Sequence, residues 1–162
     1  MLGLSRKTDY ALVALARLAE QTRAQGGTVS ARRIAEAYAL PLPLIMSVLK
    51  RLHHAGIVAS TRGPQGGYSL VQRPDQLTIA RVVDAIEGPV QIALCCQEDE
   101  DDTCLACQLM NHCPITDAIR RLNQRVIAFL DQVTLEDLLK SDVDVPVPLV
   151  GIAVHEHVEE LP

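Results

Sequence analysis

Aromatic residues are almost missing from this chain: 162 residues hold three tyrosines (Tyr10, Tyr38, Tyr68), one phenylalanine (Phe129) and no tryptophan. The core must then be built from Leu, Val, Ile and Ala. Too few rings are available for the stacking platforms that single-stranded nucleic acid uses, which argues against an OB-fold or RRM-like role. No apolar run approaches the roughly 18 residues of a membrane helix, and Met1 to Lys7 lacks a signal peptide's apolar stretch. The expectation is a cytoplasmic protein with no membrane partner. Also missing are a Ser-His-Asp arrangement, a paired-carboxylate motif and a glycine-rich phosphate loop, so nothing points to an enzyme.

Acidic residues are scarce in one half only. Residues 1 to 73 carry 10 Lys and Arg against 3 Asp and Glu, whereas residues 74 to 162 carry 5 against 17. A basic half and an acidic half within one small chain suggest that the first meets a polyanion and the second does not.

Within the basic half, Leu12, Val13, Leu15, Ala16 and Ala19 recur at helical spacing from Thr8 to Gln21, and Gly26-Gly27 ends the pattern. Ser30 suits the N-cap of a short helix through Tyr38, with Ile34 and Ala35 inward and Arg32 and Arg33 outward. Leu40-Pro41-Leu42-Pro43 makes a stiff turn into a third helix reaching about Ala55. There Leu44, Val48, Leu49 and Leu52 are expected to form the buried stripe, leaving Ser47, Lys50, Arg51 and His54 near the outer face. Two short helices joined by a tight turn, the second with a basic face, make a helix-turn-helix. Ile57 to Thr61 then reads as a strand, Arg62 to Gly67 as a turn and Tyr68 to Val71 as a returning strand, which is a wing. Arg62 at its base is the side chain best suited to a base edge or a narrow groove. Candidate DNA contacts are Arg6, Lys7, Arg32, Arg33, Ser47, Lys50, Arg51, Arg62 and Gln65. Met46 occupies the outward position near the start of the third helix, so direct readout leans on thymine methyl contacts and Arg62.

The segment Arg62-Gly63-Pro64-Gln65-Gly66-Gly67-Tyr68, the Leu-x-x-Ala-Gly-Ile-Val stretch before it and the opening Lys7-Thr8-Asp9-Tyr10-Ala11-Leu12 resemble the winged-helix regulators typified by the iron-sulfur sensor IscR and the nitric oxide sensor NsrR. The resemblance runs from about residue 3 to residue 135. It implies a homodimer that binds pseudo-palindromic, double-stranded promoter DNA and regulates transcription.

After an amphipathic helix from Thr78 to Glu87, with Ile79, Val82, Val83 and Ile86 on one side, Gly88-Pro89 breaks the chain. All five cysteines follow: Cys95, Cys96, Cys104, Cys107 and Cys113. Such clustering suits a metal site better than disulfides in a cytoplasmic chain. Cys104-x2-Cys107 with Cys113 and either Cys96 or His112 could hold zinc, and an iron-sulfur cluster, 2Fe-2S or 4Fe-4S, needs the same thiolates. The resemblance favours the cluster, bound through three cysteines of one loop. Cys107-x5-Cys113 reproduces the relatives' last spacing, but Asp101 or Asp102 stands where their first cysteine falls, so this loop is lengthened or rewired. Cys96 is then the choice for the first ligand, Cys104 or Cys107 for the middle one and Cys113 for the last, with Cys95 spare. Thr116 replaces the cluster-binding histidine of IscR. Asp9 matches an aspartate that completes the cluster across the dimer in some NsrR proteins, and His112 is the other candidate. Glu98 to Asp102 reads as a solvated acidic run.

Pro114 opens a helix whose Ile115, Ile119, Leu122, Val126, Phe129 and Val133 form a heptad seam about 28 Å long. A capped short helix follows at Thr134 to Leu139. From Ser141 the tail changes composition, and its His155-x-His157 is expected to be solvated. The fold class is mostly α with a small β wing: a winged helix-turn-helix with a long dimerisation helix. Its expected parts are a DNA-binding region (1–88), a cysteine loop (89–113), dimerisation and final helices (114–140) and a tail (141–162).

Overall fold

Six helices and one hairpin appear in a computed structural model that describes residues 4–24, 26–63, 66–96 and 112–140. Helix α1 (Arg6–Ala24) lies at the centre, and α3, α4, β2 and α6 pack on it. It buries Thr8, Ala11, Ala14, Leu15, Leu18 and Ala19, whereas the expected Leu12, Val13 and Ala16 are only half-buried. The stripe is displaced because small residues let neighbouring helices come close on several sides, so Ala11, Ala14 and Thr8 take the tightest contacts.

Helix α2 (Ala31–Ala37) starts where Ser30 Oγ accepts the Arg33 N–H at 3.3 Å and buries Ile34 and Ala35. Helix α3 (Leu42–His54) has a proline in its first turn and ends in a Schellman motif: Ile57 N–H bonds Leu52 C=O, Gly56 N–H bonds His53 C=O, and Gly56 takes φ 69°. Its buried stripe is Ile45, Val48, Leu49 and Leu52, and Leu44 is 39% exposed. That corrects the expected stripe. Ile45, Val48, Leu49 and Leu52 share one face at i, i+3, i+4 and i+7, and Leu44 lies about 100° away from Ile45.

Strands β1 (Val58–Thr61) and β2 (Gly67–Leu70) pair antiparallel from Val58 opposite Leu70 to Thr61 opposite Gly67. Tyr68 also exchanges both backbone bonds with Val29, each 2.9 Å, fastening the wing to the residue before α2's cap. This explains Gly67, where a Cβ would lie 2.6 Å from the Val29 carbonyl. Helix α4 (Ile79–Glu87), capped by Thr78, buries Ile79, Val82, Val83 and Ile86 as the pattern predicts.

Helix α5 (Thr116–Gln132) begins later than Pro114, because Ile115, at φ −107°, is still outside the helix. It faces its own domain with a polar residue, Asn123, 7% exposed, and turns Leu122 (48% exposed) and Phe129 to the outside, with Ile115 exposed just before its start. Helix α6 (Leu135–Leu139) is fixed by a capping box between Thr134 and Asp137. Ile79 N–H to Val133 C=O and Leu135 N–H to Leu77 C=O, both 2.8 Å, tie the α5–α6 junction to the start of α4. None of the described helices is long and apolar enough to cross a membrane.

Candidate nucleic-acid interface and metal centre

Exposed basic residues lie on three helices and beside the hairpin. Arg6 and Lys7 are exposed at the start of α1, Arg32 and Arg33 on α2, and Ser47 and Lys50 on α3; Arg62 is exposed just past β1. Gln65 lies outside the described residues. Met46 is 53% exposed on α3. Arg51, expected beside Lys50, turns away instead: its guanidinium donates to the Ile86 carbonyl near the end of α4. Unpaired last-turn carbonyls attract a cation there. His53 Nδ1 lies 3.0 Å from the Val58 carbonyl, joining α3 to β1.

Sequence reasoning passed over Glu87, the last residue of α4. Its carboxylate accepts from the Ser5 N–H at 2.9 Å and from the Thr8 hydroxyl, closing the N-terminus of α1. These bonds, the Thr8 hydroxyl first, hold its pKa below the usual carboxylate value. The carboxylate serving that helix end thus comes from Glu87, whereas Asp9 is exposed in the first turn. Adjacent residues of α4 therefore grip α3 and the start of α1, and the chain then enters the cysteine segment.

That segment runs antiparallel to α5. Asn123 accepts the Ile92 N–H at 3.0 Å and donates to Val90 C=O at 3.1 Å. One turn back toward the N-terminus of α5, Arg120 Nε donates to Cys95 C=O at 3.0 Å, and Cys96 Sγ donates to Ile119 C=O at 4.0 Å. The path brings Cys96 alongside the first turns of α5, and Cys113 lies three residues before that helix starts. Cys95 is buried, and Cys96 and Cys113 are half-exposed. The Cys113 thiol is held below the usual cysteine range by the Thr116 hydroxyl first and the Ile115 N–H second. A thiolate at a helix N-terminus is favoured for the same reason. Thr116 Oγ1 is buried, and among the described residues the Cys113 sulfur is the polar neighbour it serves. His112 is exposed next to Cys113. Cys104, Cys107 and the acidic run at Glu98 to Asp102 lie outside the described residues, as does the 141–162 tail with His155 and His157. Among the described residues no three metal-ligating side chains come together. Asn123 and Arg120 were not singled out from the sequence; an Asn next to the apolar seam at Leu122 was the available signal.

A helix-turn-helix followed by a wing, with exposed basic residues on both, defines a winged-helix DNA-binding transcription regulator, not an enzyme. The family model described as Rrf2, iron-dependent transcriptional regulator, matches residues 4–141, and the chain belongs to that family. It is 32% identical over 136 residues to the HTH-type transcriptional regulator IscR of Aliivibrio salmonicida, covering 84% of this chain and 76% of that one. Among solved structures it is similar to CymR of B. subtilis, described as the global cysteine regulator, with a TM-score of 0.63 and 30% identity over 86% of this chain and 97% of that one. T. potens IscR gives a TM-score of 0.62 at 27% identity, covering 85% and 86%.

Proposed function

We propose that this chain is a cytoplasmic homodimeric repressor whose affinity for double-stranded promoter DNA is set by an iron-sulfur cluster, 2Fe-2S or 4Fe-4S, and that its targets are iron-sulfur assembly genes. The single observation that carries the reading is the antiparallel path of residues 90–96 along α5, which brings Cys96 to the end of the helix that Cys113 precedes. The donor set fits such a group: two free thiols at one helix end, the Cys113 thiol held below the usual cysteine range by the Thr116 hydroxyl and the Ile115 N–H. Cys96, Cys113 and Cys104 or Cys107 would hold the cluster, with Asp9 of the second copy or His112 completing the ligands. When bound, the group supplies a redox-sensitive crosslink between loop and helix. The chain's own residues then carry the consequence. Asn123 and Arg120 hold the loop on α5, and the exposed seam of Ile115, Leu122 and Phe129 meets a second copy. Glu87 and Arg51 connect the start of the loop to α1 and to α3, which in this reading is the recognition helix. In this reading residues 1–88 bind DNA, 89–113 carry the cluster, 114–140 dimerise and 141–162 form a tail.

The test is isolation of the full chain without oxygen. Brown protein with iron and acid-labile sulfide in near-equal amounts supports the reading. Colourless protein with one zinc per chain that cannot be reconstituted overturns it. Two free, half-exposed thiols at one end of α5, Cys96 and Cys113, favour a thiol redox switch as the second reading. It is recognised by colourless, metal-free protein whose DNA binding changes with peroxide.

A further inference from the structure

The first half of the recognition helix leaves four side chains in water: Pro43, Leu44 (39%), Met46 (53%) and Ser47. Only Ser47 among them carries a hydrogen-bonding group, and no Arg, Lys, Asn, Gln, Asp or Glu comes before Lys50. Bidentate reading of guanine or adenine needs one of those long polar side chains. A short hydroxyl supplies little discrimination by itself. At 100° per residue, Leu44 and Met46 fall on opposite flanks of the outward face, with Pro43 and Ser47 between them. Two large apolar side chains are costly to leave in water, and in a major groove the only apolar feature on a base edge is the 5-methyl of thymine. The charge of these elements favours DNA over an apolar protein partner, because Arg32 and Arg33 on α2, Lys50 on α3 and Arg62 after β1 are all exposed.

We infer that Leu44 and Met46 are the specificity-determining residues of this protein, gripping thymine methyl groups on either side of Ser47, so that its operator half-sites are defined by thymine positions. The inference deepens the DNA-binding reading and rests on it. The full-length protein is first used to select duplexes from a randomised library. Each thymine of the selected half-site is then replaced by deoxyuridine, which removes the methyl and leaves every hydrogen-bonding group. Wild-type protein should lose affinity about threefold to tenfold at one or more thymines. In Leu44→Ser or Met46→Ser the same uracil substitution should cost nothing further, with the salt dependence unchanged because neither residue meets a phosphate. Both side chains are exposed, so thermal melts should match the wild type, and Lys50→Ala should keep the methyl sensitivity. A half-site without thymine, a wild type indifferent to uracil, or methyl sensitivity surviving in both serine variants overturns the inference and leaves operator binding intact. A library that enriches no sequence overturns both.

Discussion

Arg51 and Arg62 look alike in the sequence, two arginines of one basic half, and the structure gives them different work. Arg62 stands free at the base of the wing, so Arg62→Ala should lower binding to the selected operator by about 1 to 3 kcal/mol and leave dimerisation intact. Lys50→Ala should weaken binding to every sequence and shallow the salt dependence by about one unit if it meets a phosphate. Arg51→Ala should instead lower the melting temperature with little change in salt slope, because its guanidinium is engaged by the Ile86 carbonyl. Titrations of DNA binding at several salt concentrations, with melts alongside, separate the three. Glu87 adds a pH signature. Its ordinary pKa is 4.5, and Thr8 and Ser5 hold the folded value lower. Its stabilisation is therefore fully present above 4.5 and is lost as pH falls through the folded value. Glu87→Gln should melt lower at neutral pH and approach the wild type in acid.

At the scale of elements, what could be read from the sequence depended on whether one residue type decided the outcome. The caps at Ser30 and Thr134, the stripe of α4 and the hairpin were legible because an N-cap oxygen, an uninterrupted Ile/Val periodicity and a glycine-rich turn each have one mechanism, whereas Thr78 was read as helical and is the cap. The stripes of α1 and α3 were less so. Ala11 and Thr8 are weakly hydrophobic by type and are buried by close packing, and Leu44 is strongly hydrophobic and left out. The candidate site was half legible: the cysteines announce themselves, but the backbone bonds that carry them along α5 have no sequence signature beyond one Asn. Asn123→Leu should expose that dependence. It leaves the Ile92 N–H and the Val90 C=O without partners, at about 1 to 3 kcal/mol each if they stay buried. Amide exchange at Ile92 should rise sharply, with α1 and α3 unaffected. Unchanged exchange there would mean that Asn123 does not hold the loop.

For the whole molecule, the proposed cluster depends on what a second copy adds to the ligands of the first. Asp9 is exposed on α1, and the capping work at that helix end is done by Glu87, so the carboxylate of Asp9 is not needed by its own helix. A dimer joined along α5 offers it a use, as a hard oxygen ligand to the second copy's site. Asp9→Ala should then change the cluster's absorption and hasten its loss to oxygen, and Cys113→Ala should abolish it. If Asp9 serves only its helix, the substitution should cost at most about 1 kcal/mol of stability and leave the spectrum alone. Mixed dimers of an Asp9→Ala chain with a Cys113→Ala chain decide between the arrangements. With ligation across the dimer, one site lacks both ligands and the other lacks none, so such dimers should hold half the wild-type iron with a wild-type spectrum. With ligation inside each chain, the Cys113→Ala chain holds nothing and its companion holds a centre without Asp9. The iron is again halved, but the spectrum is that of the Asp9→Ala homodimer. The band shape of the retained half, not its amount, is therefore the measurement that places Asp9.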